Sequence, residues 1–260
     1  MVRDAWAAGE RYEPYVGRWS RVVAERFLAF LVAPAGGEWL DVGCGTGALS
    51  EAVLSEAGAD AVTGIDPSAG CIEFARERLA SRPASFDVGD ARDLPYAPAY
   101  FDAVVSGLVL NFVPDDGRAL REQHRVVKPG GVVGAYVWDY PRMEMMARFW
   151  EAAVAVDAGE VPDEADRFAT WTDDGLAQRF HDAGFANIGT TAIEIPTVFP
   201  AFDDFWQPFL GGQGAAPSYL ATLDQERREA IRDVLRAGMP RSGRIELTAR
   251  AWAVKATRPE

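Results

Sequence analysis

In the stretch WLDVGCGTGALS, residues 39–50, an aspartate is followed by three glycines at every second position. Gly43, Gly45 and Gly47 let a backbone turn sharply and approach a ligand without an intervening side chain. Asp41 places a carboxylate beside that loop, where it repels a pyrophosphate and attracts a cationic amino group. The G-x-G-x-G spacing also differs from the G-x-G-x-x-G fingerprint of dinucleotide sites. The loop therefore predicts a ligand that is positively charged next to Asp41.

Such a loop must be positioned by a β-sheet. The sequence pattern of the first 140 residues predicts a parallel β-sheet. Short runs rich in Val, Ile and Ala alternate with longer amphipathic segments, as they do in βαβ units. The predicted strands are Trp39 to Gly43, Ala61 to Asp66, Ser85 to Val88, Phe101 to Ser106 and Gly131 to Trp138. Helices are predicted between them at Ala48 to Ala57, Ala69 to Ser81 and Gly117 to Val127. Ligands of such sheets lie outside the carboxyl ends of the strands, where the glycine loop falls.

Beyond Asp139 the pattern changes. Amphipathic helices are predicted at Met143 to Asp157 and at Asp173 to Gly184. Two further β-like runs, Ile188 to Thr197 and Ile245 to Ala256, are separated by too many residues for a simple hairpin. We expect the residues between these two runs to form a helical lid.

The composition of the 260-residue chain excludes several classes of function. No window approaches the roughly 18 uninterrupted apolar residues of a membrane span, and the first residues lack an apolar signal core. A net charge of −13 repels a phosphate backbone, so nucleic acid is not expected as a partner. Cys44 and Cys71 are too few for a disulfide framework or a four-ligand zinc site. We expect a cytoplasmic protein that binds a small molecule and no metal.

Several motifs follow one another in order: WLDVGCGTG, GIDPS, GDA with a later Leu-Pro, FDAVVSGLVLNFVPD and RVVKPGG. Through them, roughly from Tyr12 to Asp139, the chain resembles a class I S-adenosylmethionine-dependent methyltransferase of the ubiquinone and menaquinone biosynthesis type. The resemblance implies an α/β, Rossmann-like, doubly wound sheet of seven strands. The sheet is mostly parallel, its last strand runs antiparallel beside the fifth, and a helical cap is added. Residues 1–140 should hold an N-terminal helix and the cofactor-binding core, and residues 141–260 the cap and the last two strands, within one domain.

The resemblance also implies how S-adenosylmethionine is held. Asp41 meets its ammonium, and Asp66 accepts from both ribose hydroxyls, which suits a carboxylate. Asp90 accepts from the exocyclic amine of adenine. The alternatives are a helix cap or turn for Asp66 and a solvent-exposed loop carboxylate for Asp90. The full set expected to bind the cofactor is Tyr15, Arg18, Trp19, Asp41, Gly43, Gly45, Gly47, Asp66, Pro67, Ser68, Asp90, Ala91, Ser106 and Gly107.

Two parts of that set come from motifs outside the glycine loop. The backbone around Ser106 and Gly107 is expected to flank the sulfonium. Tyr15, Arg18 and Trp19 are expected to close over the methionyl end, with the Arg18 guanidinium paired to its carboxylate. An amphipathic helix that only packs on the domain is the alternative for these three residues.

Methyl transfer from a sulfonium is a direct displacement, so it depends on alignment more than on a base. Holding the reacting atoms in line can supply roughly 7 to 11 kcal/mol. His124 and His181 lie on predicted scaffold helices and are assigned no catalytic role. Asp139 ends the fifth strand and is the one candidate to take a proton or orient a substrate, with a plain strand-end turn as the alternative.

Aromatic residues after the cofactor motifs indicate an apolar substrate pocket. With Tyr140 as a hydrogen-bond donor, the candidates are Trp138, Tyr140, Trp171, Phe205, Trp206 and Phe209. Ordinary core packing is the alternative for each ring, and an aromatic cage for a cationic amine is another arrangement.

The expected activity is methylation of a small organic molecule with S-adenosylhomocysteine as the second product. A catalytically silent S-adenosylmethionine-binding regulator would keep the same motifs. An NAD-dependent oxidoreductase is disfavoured by the glycine spacing and by the carboxylate of Asp41.

Overall fold

The computed structural model describes residues 18–33, 35–157, 161, 167–211, 214–240 and 243–260. The strands in these ranges are β1 Glu38–Val42, β2 Ala61–Asp66, β3 Ala84–Val88, β4 Phe101–Gly107, β5 Val127–Trp138, β6 Ala186–Phe199 and β7 Ile245–Thr257. The α-helices are α1 Arg18–Leu31, α2 Ala48–Ala52, α3 Ala69–Arg78, α4 Asp116–Val126, α5 Glu144–Val156, α6 Asp173–Asp182, α7 Phe202–Trp206, α8 Ala215–Thr222 and α9 Gln225–Ala237.

All seven strands belong to one sheet in the order β3-β2-β1-β4-β5-β7-β6. The first five strands run parallel to one another. β7 runs antiparallel between β5 and β6. The predicted Rossmann-like sheet with an antiparallel last strand beside the fifth is therefore confirmed. Its parallel strands all deliver their carboxyl ends to one edge.

Helices cover both faces of the sheet, which explains why the central strands are almost continuously apolar. Successive side chains of β1 alternate between two buried clusters. Trp39 packs on the face of α1, α5 and α9. Leu40 packs on the opposite face with residues of α4 and α6. No helix among the described residues combines the length and apolar character that crossing a bilayer requires.

The predicted start of the fifth strand was wrong, and one predicted helix is of mixed type. The helix expected over residues 48–57 is α-helical only to Ala52 and continues as a π-helical turn, Val53–Ala57. The fifth strand begins at Val127 rather than Gly131, because the residues just before Gly131 are also held in the sheet. There Phe101 of β4 pairs with Val127 and Ala103 with Val132, so the intervening residues bulge. The backbone of Arg258 exchanges hydrogen bonds with Gly130 and Gly131 and fixes that bulge.

The segment between β6 and β7 is helical, as the sequence predicted. It contains α7, a 3-10 helix at Gln207–Gly211, α8 and α9. The α9 helix packs against α5, and Gly214 and Ala215 at the start of α8 reach the cavity described below. This segment therefore forms part of one wall of the cavity.

Candidate functional site

A cavity of about 440 Å³ opens at the carboxyl ends of the parallel strands. A volume of that size matches small-molecule sites, which span roughly 300 to 1,000 Å³. Asp41, Asp66 and Asp90 line it, from β1, the end of β2 and the loop after β3. The fold thus places three carboxylates from successive strands around one space.

The carboxyl group of Asp41 is almost fully buried, with 1% exposure. Its Oδ2 accepts a hydrogen bond of 2.7 Å from the Ser50 hydroxyl on α2. Its Oδ1 is buried without a hydrogen-bond partner among the described residues. Burial, with a smaller contribution from the nearby Asp66 carboxylate, raises the pKa of Asp41 from 3.8 to about 7 despite the opposing hydrogen bond from Ser50. A cationic donor that reached Oδ1 would satisfy the orphaned oxygen and favour its ionised form.

The glycine loop approaches the cavity in a left-handed backbone conformation. Gly43 has φ 77° and its N–H donates to the Ile65 carbonyl at 2.7 Å, while a Cβ there would come within 2.5 Å of the methyl groups of Val109. Gly45 has φ 51°, and a Cβ there would meet nothing within 4 Å. Gly47 precedes α2, and unlike the other two it lies outside the lining. Only Gly45 therefore presents both a bare backbone and open space to a ligand.

Asp66 ends β2 and ties the glycine loop to the next turn. Its Oδ2 accepts from the Gly45 N–H at 3.0 Å, and its Oδ1 accepts from the Ser68 N–H at 2.8 Å. Burial raises the pKa of this carboxyl group. Because a carboxylate offers about four lone-pair positions, one remains on each oxygen for ligand hydroxyls. Pro67 and Ser68 also line the cavity, and the Ser68 hydroxyl caps α3.

Asp90 lies at the rim of the cavity and forms a bidentate ion pair with Arg92. Nε and Nη2 of Arg92 donate to the two oxygens at 3.0 and 2.6 Å. These hydrogen bonds hold the pKa of Asp90 at about 2. Both side chains are more than a third exposed, so Asp90 is an ionised acceptor at the mouth. Ala91 and Arg92 line the cavity beside it.

The fourth strand contributes its last residue. Gly107 lines the cavity, and a Cβ there would lie 2.5 Å from Oη of Tyr136. Ser106 lies outside the lining, because its hydroxyl points into the sheet and donates to the Val42 carbonyl at 2.9 Å. The close approach of Tyr136 to the backbone thus requires glycine at residue 107.

The N-terminal helix places a different residue in the cavity from those the sequence indicated. Ser20 lines the cavity, whereas Arg18 and Trp19 do not. Nη1 of Arg18 donates to Oδ2 of Asp204 at 3.1 Å, and its guanidinium lies 4.8 Å from the Phe199 ring. Asp204 of α7 thus supplies a carboxylate to Arg18, and the pairing of Arg18 with a ligand carboxylate stays a prediction. Tyr15 lies outside the described residues.

The far end of the cavity is apolar. Trp138 and Tyr140 line it as expected, together with Met143 and Met146, which the sequence analysis missed. The two methionines flank the start of α5 and are nearly fully buried. Their spacing of i and i+3 on a predicted helix was the signal that could have found them.

Asp139 lies between two lining residues but outside the lining itself. It is 6% exposed, and its Oδ2 accepts from Nε of Arg250 at 2.6 Å. The carboxylate is engaged by Arg250 and does not face the cavity. The position therefore does not support the catalytic role that its place at the end of β5 suggested.

Four of the predicted substrate-binding rings pack in the core and away from the cavity. Phe205 packs edge-to-face against Phe199 and Phe209 at centroid distances of 5.3 and 5.6 Å. Trp206 belongs to the same apolar cluster. Trp171 lies in the cluster on the other face, under the guanidinium of Arg179. Aromatic residues spaced on one helical face marked the buried face of the helix here, not a ligand surface.

Among the described residues, the histidine and cysteine side chains form no second reactive site. His124 packs against Phe185, and burial lowers its pKa. Cys44 and Cys71 are free and buried, both line the cavity, and burial raises the pKa of each thiol. No group of three or more metal-ligating side chains occurs in the described ranges.

The donor set fits S-adenosylmethionine. The orphaned Oδ1 of Asp41 suits its ammonium, the remaining lone pairs of Asp66 suit its ribose hydroxyls, and the open space beside Gly45 admits a ligand against bare backbone. Asp90 at the rim is an ionised acceptor for an amine.

Comparison with known proteins adds sequence relatives. The profile of a family described as "Methyltransferase domain" matches residues 40–134. Demethylmenaquinone methyltransferase of Staphylococcus epidermidis is 39% identical over 135 residues, which are 50% of this chain and 55% of that protein. The chain thus spans about half the length of that curated relative. The Staphylococcus aureus protein of the same name is 31% identical over 183 residues, 65% of this chain and 76% of that protein.

A solved structure shows the same fold. Phosphoethanolamine N-methyltransferase 2 of Haemonchus contortus, in complex with phosphomonomethylethanolamine and S-adenosylhomocysteine, superposes with a TM-score of 0.57 at 17% identity. The match covers 97% of this chain and 57% of that one.

Proposed function

Because the chain belongs to the class I S-adenosylmethionine-dependent methyltransferases of the ubiquinone and menaquinone biosynthesis type, we propose that it methylates a small organic molecule. The single observation that carries this proposal is the convergence of three carboxylates on one cavity, where one buried oxygen of Asp41 has no partner in the described part of the chain. That arrangement suits a ligand with a cationic amine, a sugar and an amine-bearing base.

The chain's own residues divide the cavity into two ends. Asp41, Asp66 and the backbone at Gly45 hold the amino acid and sugar parts of the cofactor at the strand ends. Trp138, Met143 and other apolar residues enclose the acceptor end. When bound, S-adenosylmethionine supplies a methyl group on a positively charged sulfur, which becomes neutral as the methyl leaves.

The residues at the acceptor end exclude water and align the acceptor. Exclusion of water leaves a nucleophile less stabilised by solvent, and alignment supplies much of the rate. Among the described residues around Trp138 and Met143, the lining offers the hydroxyls of Tyr136 and Tyr140 but no carboxylate, histidine or lysine. The proposal therefore assigns no general base among these described residues.

Calorimetric titration with S-adenosylhomocysteine and NAD tests the cofactor half of the proposal. We expect heat from the first compound only. Transfer of radiolabelled methyl groups to a panel of acceptors tests the other half, beginning with reduced demethylmenaquinone because the relatives carry that name. Tight binding of NAD without S-adenosylhomocysteine would overturn the proposal, and cofactor binding without transfer to any acceptor would favour a silent regulator.

A further inference from the structure

A charged pair joins the end of β5 to β7 beside the acceptor end of the cavity. Nε of Arg250 donates to Oδ2 of Asp139 at 2.6 Å, and Nη2 contacts the same oxygen. The N–H of Asp139 donates to the Arg250 carbonyl at 2.9 Å. The side chains are 8% and 22% exposed, so removing either partner would leave a largely buried charge alone.

The residues around Asp139 form one wall of the cavity. Trp138, Tyr140, Met143 and Met146 all line it and come from a single segment of the chain. Asp139 lies between the first two of these residues. The pair with Arg250 therefore acts on the backbone from which the whole wall extends.

The pairing of β5 with β7 ends at this pair. Trp138 is the last residue of β5 and lies opposite Ala251 of β7. Beyond Asp139 the chain turns through a short 3-10 helix, in which the Arg142 N–H donates to the Asp139 carbonyl at 2.8 Å. The contact of Asp139 with β7 thus determines the path of the chain that forms the wall after β5.

Arg250 is itself held in place. Its guanidinium lies 4.5 Å from the centroid of the Trp252 ring, two residues along the same face of β7. On the cavity side, Tyr140 stacks on Phe168 with centroids 4.0 Å apart and planes 10° apart. A shift of Asp139 would disturb that stack because Tyr140 follows it directly in the chain.

We propose that Arg250 is a positioning residue for the methyl acceptor. Through Asp139 it holds Trp138 and Tyr140 in the orientation in which they line the acceptor end. The cofactor end is independent of this contact, since Asp41 and Asp66 lie on β1 and β2. This inference rests on the proposed function, because the acceptor end is assigned there.

The test compares two ligands on the same variants. Binding of S-adenosylhomocysteine is measured by calorimetry. Binding of the neutral aromatic dye N-phenyl-1-naphthylamine is measured by fluorescence on protein saturated with S-adenosylhomocysteine. The variants are Arg250→Met, Arg250→Lys and Asp139→Asn. Arg244→Met is the matched control, because Arg244 pairs with Glu246 of β7 while both side chains are 63% exposed.

We expect Arg250→Met to weaken dye binding at least fivefold and S-adenosylhomocysteine binding by less than twofold. Arg250→Lys should recover at least half of the lost dye affinity, and Arg244→Met should change neither ligand. Asp139→Asn, which keeps the side-chain shape, decides the matter if Arg250→Met does not fold.

Three results would overturn the inference. Equal dye binding by Arg250→Met and the unsubstituted protein would show that the pair does not position the wall. A parallel loss of both ligands would show a role in stability alone, and absence of dye binding to the unsubstituted protein would remove the apolar acceptor end. Failure of the unsubstituted protein to bind S-adenosylhomocysteine would instead reject the proposed function.

Discussion

The Ser50 hydroxyl satisfies one oxygen of the buried Asp41 carboxyl group at 2.7 Å, and the other oxygen has no partner among the described residues. This half-satisfied carboxyl group lies in the cavity wall between β1 and α2. Leaving a buried acceptor unpaired costs about 1 to 3 kcal/mol. A ligand that donates to Oδ1 recovers that cost, so the apo site is prepared for one.

Cofactor binding should therefore depend on the ionisation of Asp41. Since the pKa of Asp41 is raised to about 7, affinity for S-adenosylhomocysteine should rise from about pH 5 to about pH 8, with proton release on binding below that pKa. Asp41→Asn should weaken binding about tenfold to hundredfold, since a hydrogen bond to a charged group contributes about 1.5 to 3 kcal/mol. Calorimetry in buffers of different ionisation enthalpy measures both effects. An affinity that is flat across this range would contradict the assignment.

The stability of the ligand-free protein should show the opposite pH dependence. The pKa of Asp41 is about 7 in the folded protein and 3.8 without burial, so between these values the folded state binds the proton and the unfolded state does not. The free energy of unfolding should then fall as the pH rises from about 4 to about 7, by on the order of 4 kcal/mol from this group. Urea unfolding of the protein and of Asp41→Asn isolates the contribution. Identical pH profiles for the two proteins would argue against it.

Asp66→Ala should weaken binding of S-adenosylhomocysteine about a hundredfold or more, because two ligand hydroxyls lose a charged acceptor. Asp60→Ala is the matched control. Its Oδ2 also accepts a backbone N–H, that of Gly37 at 2.8 Å, but it precedes β2 at the opposite end of that strand. Calorimetry should find the control within twofold of the unsubstituted protein. An equal loss of S-adenosylhomocysteine affinity in both variants would indicate a general effect of removing an aspartate that accepts from a backbone N–H.

Gly45→Ala should block the ligand without a steric clash within the protein. A methyl group at Gly45 meets no protein atom within 4 Å, and φ is 51°. Gly243→Ala shares the left-handed backbone, with φ 88° and equally open space, outside the cavity lining. Both changes should cost about 1 to 2 kcal/mol of stability. Only Gly45→Ala should also weaken S-adenosylhomocysteine binding, by at least tenfold, and equal affinities would show that no ligand lies against this loop.

Phe205→Ala should destabilise the protein and leave cofactor binding unchanged. The ring is fully buried between Phe199 and Phe209, and such truncations cost about 3 to 5 kcal/mol. Denaturant unfolding measures the loss, and calorimetry at low temperature checks that S-adenosylhomocysteine affinity stays within twofold. Unchanged stability would restore the ring as a candidate for the substrate site.

Much of the architecture followed from local patterns. The alternation of apolar runs and amphipathic segments predicted the five parallel strands, because a strand covered on both faces is largely apolar. The last two strands were predicted as separate β-like runs. The resemblance implied that Asp41, Asp66 and Asp90 surround one ligand, and they meet because parallel strands deliver their carboxyl ends to one edge. The family followed from the same ordered motifs.

Only the tertiary structure decided which charged and aromatic side chains face the cavity. Arg18 and Asp204 are 186 residues apart in the chain, and Asp139 and Arg250 are 111 apart. Residue spacing along the chain does not reveal partners so far apart. The sequence analysis could therefore assign these charged side chains to a ligand. Buried charges need a partner and buried rings need close packing. Both requirements are satisfied by whichever elements the fold brings together, while backbone pattern and strand-end position are properties of the segment itself.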